Sequence, residues 1–238
     1  MTTDAPQPQI TPSENGPYLV SGSLPVRKAD GTPSGDVAEM VRLCRCEWSA
    51  NKPFCDGTHR GNGFDGTEIA DRGNTADRRE VFQGEGITIY DDRSICAHIG
   101  NCADNLAKVF KLRQEPWIAP TAEAAEAIAR VIATCPSGAL SFALSGSDAT
   151  VEEGHAPGVT ASTNGPYFVG GSVPVTSPDG TPYEVRARFA LCHCGGSGNK
   201  PFCDGTHWSN GFKAYGINGV GTGAMETMAE LWRADFRR

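Results

Sequence analysis

Two stretches of the chain carry the same pattern of apolar and polar positions. Asn15-Gly-Pro-Tyr-Leu-Val-Ser-Gly-Ser-Leu-Pro-Val26 and Asn164-Gly-Pro-Tyr-Phe-Val-Gly-Gly-Ser-Val-Pro-Val175 agree at nine of twelve positions. The alternation of Tyr, Val and Pro, broken by Gly-Ser and Asp-Gly, predicts short strands and turns. Few residues look helical before Asp56 or Asp204. Between the repeats the pattern changes. Val81 to Tyr90 alternates in its second half (Ile87, Ile89) and predicts a strand. Asp104 to Phe110 is a short helix candidate. Thr121 to Thr134 places Ala124, Ile128, Val131 and Cys135 at helical spacing, with Pro120 and Thr121 at the start and Pro136 as the stop. Ala139 to Leu144 predicts a closing strand. At the end, Met225, Met228, Leu231, Trp232 and Phe236 form a helical stripe, read as a helix that caps the chain's own core, with partner docking as the alternative.

The repeats continue into a shared chemical motif. Asn51 to His59 recurs letter for letter as Asn199 to His207, and each copy follows a C-x-C pair. Cys44, Cys46, Cys55 and His59 therefore match Cys192, Cys194, Cys203 and His207. The offset between copies is 149 at the first block and 148 at the cysteines, so the second copy has lost one residue between Pro182 and Cys192. A repeat of this size buries too little surface to stand comfortably alone. Two of them in one chain predict mutual packing about a pseudo-twofold axis, with shared strands from Tyr18 to Val26 and Tyr167 to Val175.

Composition narrows the class. The 238 residues carry a net charge of −7 without a run of Lys or Arg, which argues against nucleic acid and anionic membranes as partners. The N-terminus lacks a charged start followed by an apolar stretch, and no apolar run approaches membrane-spanning length. The expectation is a soluble, cytoplasmic, monomeric protein. Nine cysteines, an odd number, do not read as a disulfide framework. They fall into groups of three: 44/46/55, 96/102/135 and 192/194/203. Cys and His at these spacings are metal ligands. Three Cys and one His suit structural zinc, and spacing alone would leave zinc ahead. Ser49/Ser197, Pro53/Pro201 and Asp56-Gly57/Asp204-Gly205 accompany the ligands in both copies, and the family resemblance they carry reverses that preference.

The string C-x-C-x2-[ST]-x3-P-x-C-D-G-[SAT]-H resembles the signature of CDGSH iron–sulfur domains, the mitoNEET-like proteins, and both copies match every fixed position. The resemblance implies a [2Fe–2S] cluster at each site, with the C-x-C pair on one iron and Cys plus His on the other. Single-motif members form homodimers with an intertwined β-cap, so this chain would make the equivalent pair within itself. From the residues, Cys44 and Cys46 are i and i+2 of an extended segment and point to one side. Cys55 and His59 would stack on a helical turn, with Asp56 as its N-cap and the turn's N-terminus facing an anionic cluster. Gly57 and Gly205 would let backbone approach the cluster closely. Pro53 and Pro201 would fix the loop before the third ligand. One imidazole among three thiolates removes a negative charge, which raises the reduction potential, and it is the ligand most easily lost to acid.

The middle segment resembles a divergent single-cluster ferredoxin, on the strength of Cys96-Ala-His98-Ile99-Gly-Asn-Cys102 and Cys135-Pro-Ser-Gly-Ala-Leu140. An ordinary ferredoxin has a second cysteine where Ile99 stands. Three thiolates fit [3Fe–4S]. A [4Fe–4S] cluster needs a fourth ligand, with His98 as a possible one. His155 and His193 read as surface residues. The fold class is α+β: a flexible start at 1–13, a repeat at 14–66, the ferredoxin-like unit at 76–146, a linker at 147–162, a repeat at 163–213 and a helical tail at 214–238. No nucleophile–base constellation, phosphate loop or nicotinamide fingerprint is present, so the protein is expected not to be an enzyme. Three clusters predict electron transfer with an unknown redox partner protein. The alternatives are cluster storage or transfer, and redox or pH sensing.

Overall fold

The computed structural model describes residues 7–147, 150–151 and 155–214. The apolar stripe at 223–238 lies outside them. The architecture is mixed α+β, mostly sheet. The first repeat contributes β1 (Gln9–Pro12), β2 (Tyr18–Ser21), β3 (Val26–Lys28) and β4 (Met40–Leu43), and the second contributes β8 (Gly158–Ala161), β9 (Tyr167–Gly170) and β10 (Arg188–Leu191). β1, β2 and β4 form an antiparallel sheet, while β8, β9 and β10 form its counterpart. Alternation in β2 and β9 buries Tyr18, Val20, Tyr167 and Val169 and turns the intervening residues outward.

The two sheets exchange strands. β3 of the first repeat runs parallel to β8 of the second, from Val26 opposite Val159 to Lys28 opposite Ala161. Ile10 in β1 bridges in parallel to Val175, the residue equivalent to Val26. The hydrogen bonds correspond: Ile10 N donates to Pro174 O at 2.9 Å, and Val159 N to Pro25 O at 2.9 Å. The exchanged strand is thus Val26–Lys28, whereas Tyr18–Ser21 stays in its own sheet. One apolar core joins Ile10, Tyr18, Val20 and Leu43 to Val159, Tyr167, Phe189 and Leu191. At its centre Tyr18 and Tyr167 meet edge-on, 6.3 Å between ring centroids. Each hydroxyl crosses to the other repeat. Tyr18 donates to Cys192 O and Pro201 O (2.9 and 2.8 Å), and Tyr167 to Cys44 O and Pro53 O (2.8 and 3.1 Å).

Between the repeats, β5 (Glu80–Gln83), β6 (Ile87–Asp91) and β7 (Leu140–Leu144) form a third, antiparallel sheet, with α1 (Thr75–Arg78) before it and α2 (Asn101–Asn105) and α3 (Ala125–Ala133) between β6 and β7. Ile87 and Ile89 from β6 and Ile128 and Ile132 from α3 bury together with Val109, Phe110 and Ile118. The expected strand from Val81 to Tyr90 is instead a hairpin, because Gly84-Glu85-Gly86 turns the chain, with Gly86 at φ +77°. The expected helix over 104–110 lies earlier. It ends at Asn105 because Leu106 leaves helical angles (φ −149°, ψ 60°), and Val109 and Phe110 turn into the core. α3 begins at Ala125 rather than near Thr121. Pro120 is held against the hairpin, and a Cβ on Gly84 would lie 2.8 Å from Pro120 O.

The middle unit docks on the second repeat through a buried cation. Arg188 Nε donates to Cys135 O at 2.6 Å, and Nη2 reaches Ile132 O and Leu140 O at 3.4 and 3.5 Å. A guanidinium suits the carbonyl end of α3. The equivalent residue of the first repeat is Met40, which is exposed.

Candidate metal centres

In each repeat the ligand loop folds back on the strand that precedes it. Cys44 N donates to Pro53 O and Cys55 N to Arg42 O, both at 2.8 Å, and the second repeat repeats this with Cys192 N to Pro201 O and Cys203 N to Ala190 O, both at 2.9 Å. Polar residues shared by both copies of the motif hold the loop. Ser49 Oγ donates to Phe54 O (2.6 Å) and accepts from Asn51 N (3.0 Å). Asp56 accepts from Ala50 N (2.8 Å) with one oxygen and from Thr58 N (3.0 Å) and Thr58 Oγ1 (2.7 Å) with the other, which holds its carboxyl down to about 2. Ser197 and Asp204 make the same bonds.

The sulfurs and imidazoles come in pairs. Cys44 and Cys46 Sγ are 3.8 Å apart, and Cys55 Sγ lies 3.3 Å from His59 Nδ1. In the second repeat the distances are 3.9 and 3.4 Å. Two ligands about 2.3 Å from one tetrahedral metal are about 3.8 Å apart, so each pair is spaced to share a metal. Among the described residues, no three Cys, His, Asp or Glu side chains are arranged to hold a single ion. The donors of each repeat are grouped as one thiol pair and one thiol–imidazole pair. The contact between the thiols of the first pair drives them apart, holding Cys46 below and Cys44 above the usual thiol range. Gly57 N and Gly205 N each point at the third cysteine's sulfur at 3.4 Å.

Three expectations about this loop change. The helical turn is a single 3-10 turn, Thr58–Arg60 or Thr206–Trp208, beginning after the third cysteine, so it supplies little dipole. Its N-cap position is taken by Gly57 rather than Asp56. Gly57 also has a left-handed backbone, φ +92°, which favours glycine whatever lies beside it. His193 is not a surface residue. It is buried, stacked on Tyr167 at 4.3 Å and edge-on to Phe212 at 4.8 Å, and burial pushes it down to about 3. His155 is half-buried and lies 3.1 Å from Arg188 Nη1.

The two sites differ in cover. His59 and Cys55 border an open cleft with Glu14, Arg42 and Phe64, whereas Cys203 and His207 are 2 % and 4 % exposed. The middle unit supplies that cover. His98 packs its Cβ and ring against Gly205, where an added Cβ would lie 3.0 Å away. Trp208 Nε1 donates to His98 O at 2.9 Å, and Asn199 Nδ2 to Ser94 O at 2.8 Å.

Cys96, Cys102 and Cys135 line one cavity with Arg93, Ile99 and Trp117. Cys96 follows a short 3-10 turn, Cys102 lies in α2 and Cys135 follows α3, so three elements converge on the cavity. Arg93, a residue the motif gave no reason to single out, lies with Nη1 3.6 Å from Cys96 Sγ, pairs with buried Asp91 at 3.0 Å and stacks over Trp117 at 3.8 Å. His98 N donates to Cys96 Sγ at 3.4 Å. Burial pushes the Cys96 and Cys102 thiols up to about 12 and about 11, so thiolates form there with the arrival of cations and the release of protons. Ile99 packs beside Ala97, Ala190 and Cys203, between the three-cysteine cavity and the second-repeat site.

Comparison with known proteins agrees with this layout. The family described as iron-binding zinc finger, CDGSH type, matches residues 15–60 and 164–208. The family described as divergent 4Fe-4S mono-cluster matches residues 82–145. The uncharacterized protein YjdI of Escherichia coli, in strains K12 and O157:H7, is 43 % identical over 61 residues, which are 26 % of this chain and 80 % of that protein. No solved structure matches.

Proposed function

Because the chain belongs to the CDGSH iron-binding family, with a divergent 4Fe–4S mono-cluster domain set between its two copies, we propose that it is an electron-transfer protein. Iron–sulfur centres would supply one-electron chemistry at three sites. Cys44, Cys46, Cys55 and His59 would hold one [2Fe–2S] cluster, and Cys192, Cys194, Cys203 and His207 the other. The paired spacing of the donors supports a two-iron centre over a single zinc ion. Cys96, Cys102 and Cys135 would hold the middle cluster. The description of the matching family favours [4Fe–4S] over [3Fe–4S], with the fourth ligand coming from outside the thiolates. His98, turned against Gly205, is better placed as a neighbour than as that ligand. The reciprocal tyrosine bonds and exchanged strands support reading the two repeats as an intramolecular pseudo-dimer, in a chain that is itself a monomer. The protein would have no catalytic activity of its own and would pass electrons to a redox partner protein.

The observation that carries this reading is the contact between two ligand loops. Cys203 of the second repeat and Ile99 of the middle unit share one apolar cluster, so two sites lie side by side in a dry setting. A store or donor of clusters needs one labile site and gains nothing from that apposition. Stopped-flow oxidation of the reduced protein by a one-electron acceptor tests the reading. Fast oxidation with all iron retained supports it, and loss of iron to an apo-ferredoxin faster than electron loss would replace it with cluster delivery.

The difference in cover predicts an order of acid loss. Protons reach the partly exposed His59 before the buried His207, and protonated imidazole no longer ligates. At about pH 5, near the lower edge of the histidine range, the first-repeat centre is expected to bleach first. His59→Cys should remove that fast phase, and His207→Cys should leave it intact. An unchanged fast phase in His59→Cys would contradict the histidine assignment.

A further inference from the structure

Between the paired cysteines the repeats differ in one residue, Arg45 in the first and His193 in the second. Both side chains occupy the same place under the ligand loop. Arg45 lies over Tyr18 and Phe64 (5.3 and 5.4 Å to the ring centroids), and His193 packs on the equivalent Tyr167 and Phe212. Arg45 is 2 % exposed. Its Nε donates to Gly16 O at 2.7 Å and its Nη2 to Gly66 O. Nη1 is buried without a hydrogen-bond partner among the described residues, and no carboxylate there lies within ion-pair distance of the side chain.

The pocket is built for a guanidinium. A Cβ on Gly66 would sit 2.0 Å from Arg45 Nη2, so any larger residue there would push the guanidinium out of its place. The second repeat, with the shorter His193, carries Ala214 at the corresponding place. Gly16 links Arg45 to the metal ligands: its carbonyl accepts from Nε, and its α-carbon faces His59 Nε2, 3.4 Å from a Cβ built there. An arginine side chain stays charged, and a buried cation is costly unless an anion answers it. Arg45 acts on the Asp65 carboxylate, beyond ion-pair distance, and through Gly16 it backs the ligand His59 at the edge of the three-thiolate site.

We propose that Arg45 holds the first-repeat centre at a higher reduction potential than the second-repeat centre, which makes the open site the electron sink and the exit to the partner. The inference rests on the reading of both repeats as [2Fe–2S] sites. A cation near a centre whose negative charge grows on reduction stabilises the reduced form. One electron moves from the covered site beside the middle unit to the open one, with no bond made or broken and no proton transferred. The electron comes from a one-electron donor, a reduced redox protein distinct from the acceptor, and leaves to the acceptor from the open site.

Redox titration of the anaerobically purified whole protein, followed by EPR, tests this. Iron and sulfide analysis comes first: if the repeats hold no iron–sulfur centre, the functional reading fails, and this inference with it. With the centres present, His59→Cys identifies the first-repeat signal by loss of its nitrogen coupling. Arg45→Gln should shift electron occupancy away from the first-repeat centre by about tenfold, about 59 mV for a one-electron couple, while Arg45→Lys keeps it. A merely structural role would move both variants alike. In case the Arg45 site does not tolerate glutamine, His193→Arg combined with Ala214→Gly leaves the first repeat intact and should raise the second-repeat potential by a similar amount. Assembled centres with potentials unmoved by Arg45→Gln, or by the second-repeat double substitution, would overturn the inference. So would a first-repeat centre that is the lower of the two in the unaltered protein.

Discussion

Tyr18→Phe is expected to destabilise the protein by about 1–3 kcal/mol and to loosen the metal site of the second repeat rather than that of its own. The Tyr18 ring is fully buried, and its hydroxyl donates to Cys192 O and Pro201 O. Removing the oxygen leaves Cys192 O, on a ligand residue, facing an apolar edge, and leaves Pro201 O, on the proline that fixes the ligand loop, with only its bond from Cys192 N. Phenylalanine keeps the ring, so the core loses no volume. Tyr167→Phe should do the converse, exposing Cys44 O and Pro53 O in the first repeat. Denaturant unfolding measures the loss, and the rate at which a chelator removes iron from each site measures its location. Crossed lability supports the exchange of support between repeats. If each variant weakened the site of its own repeat instead, the hydroxyls would not be what braces the ligand loops.

Cys135→Ser is expected to abolish the middle centre while both repeat sites fill. Cys135 lies just beyond the Thr134 cap of α3 and is one of three thiols lining that cavity. A serine hydroxyl is a poor replacement for a thiolate on iron, and no fourth cysteine among the cavity's lining can take over. Ile99→Cys should act in the opposite sense and give a more stable, conventionally ligated four-iron centre, because Ile99 already lines the cavity. EPR and iron content of the two variants decide the matter. Retention of the middle signal in Cys135→Ser would remove Cys135 from the ligand set. A cluster unaffected by Ile99→Cys but destroyed by His98→Ala would move His98 from neighbour to ligand.

Much of this was legible in the chain because the repeats preserve more than their ligands. The identical Asn51–His59 and Asn199–His207 segments required identical loops, and the conserved Tyr-x-Val and Ser-x-Pro positions mark the strands that bury and the strands that cross. The middle unit was harder to read. Val81 to Tyr90 contains apolar residues at both ends, and only the two glycines at 84 and 86 separate a hairpin from one long strand. The start of α3 depends on Pro120 meeting Gly84, a contact 36 residues apart in sequence, which no local pattern contains. His193 looked like a surface residue because histidine between two ligands has no partner in sequence. Its partners, Tyr167 and Phe212, lie on either side at a distance. The same blindness hid Arg45, although the change from Arg to His within C-x-C, together with Gly66 becoming Ala214, was a visible signal. The cover of the second site could not be anticipated from motifs, since it depends on His98 and Trp208 meeting across two units.

The central claim, that paired donors in each repeat hold iron–sulfur centres beside a third, is tested most directly by EPR of the anaerobically purified protein during stepwise reduction. The account predicts two reducible signals with nitrogen coupling from His59 and His207, together with a third signal that lacks it and vanishes in Cys135→Ser. A colourless protein that shows no signal at any potential and carries one zinc ion in each repeat would contradict it.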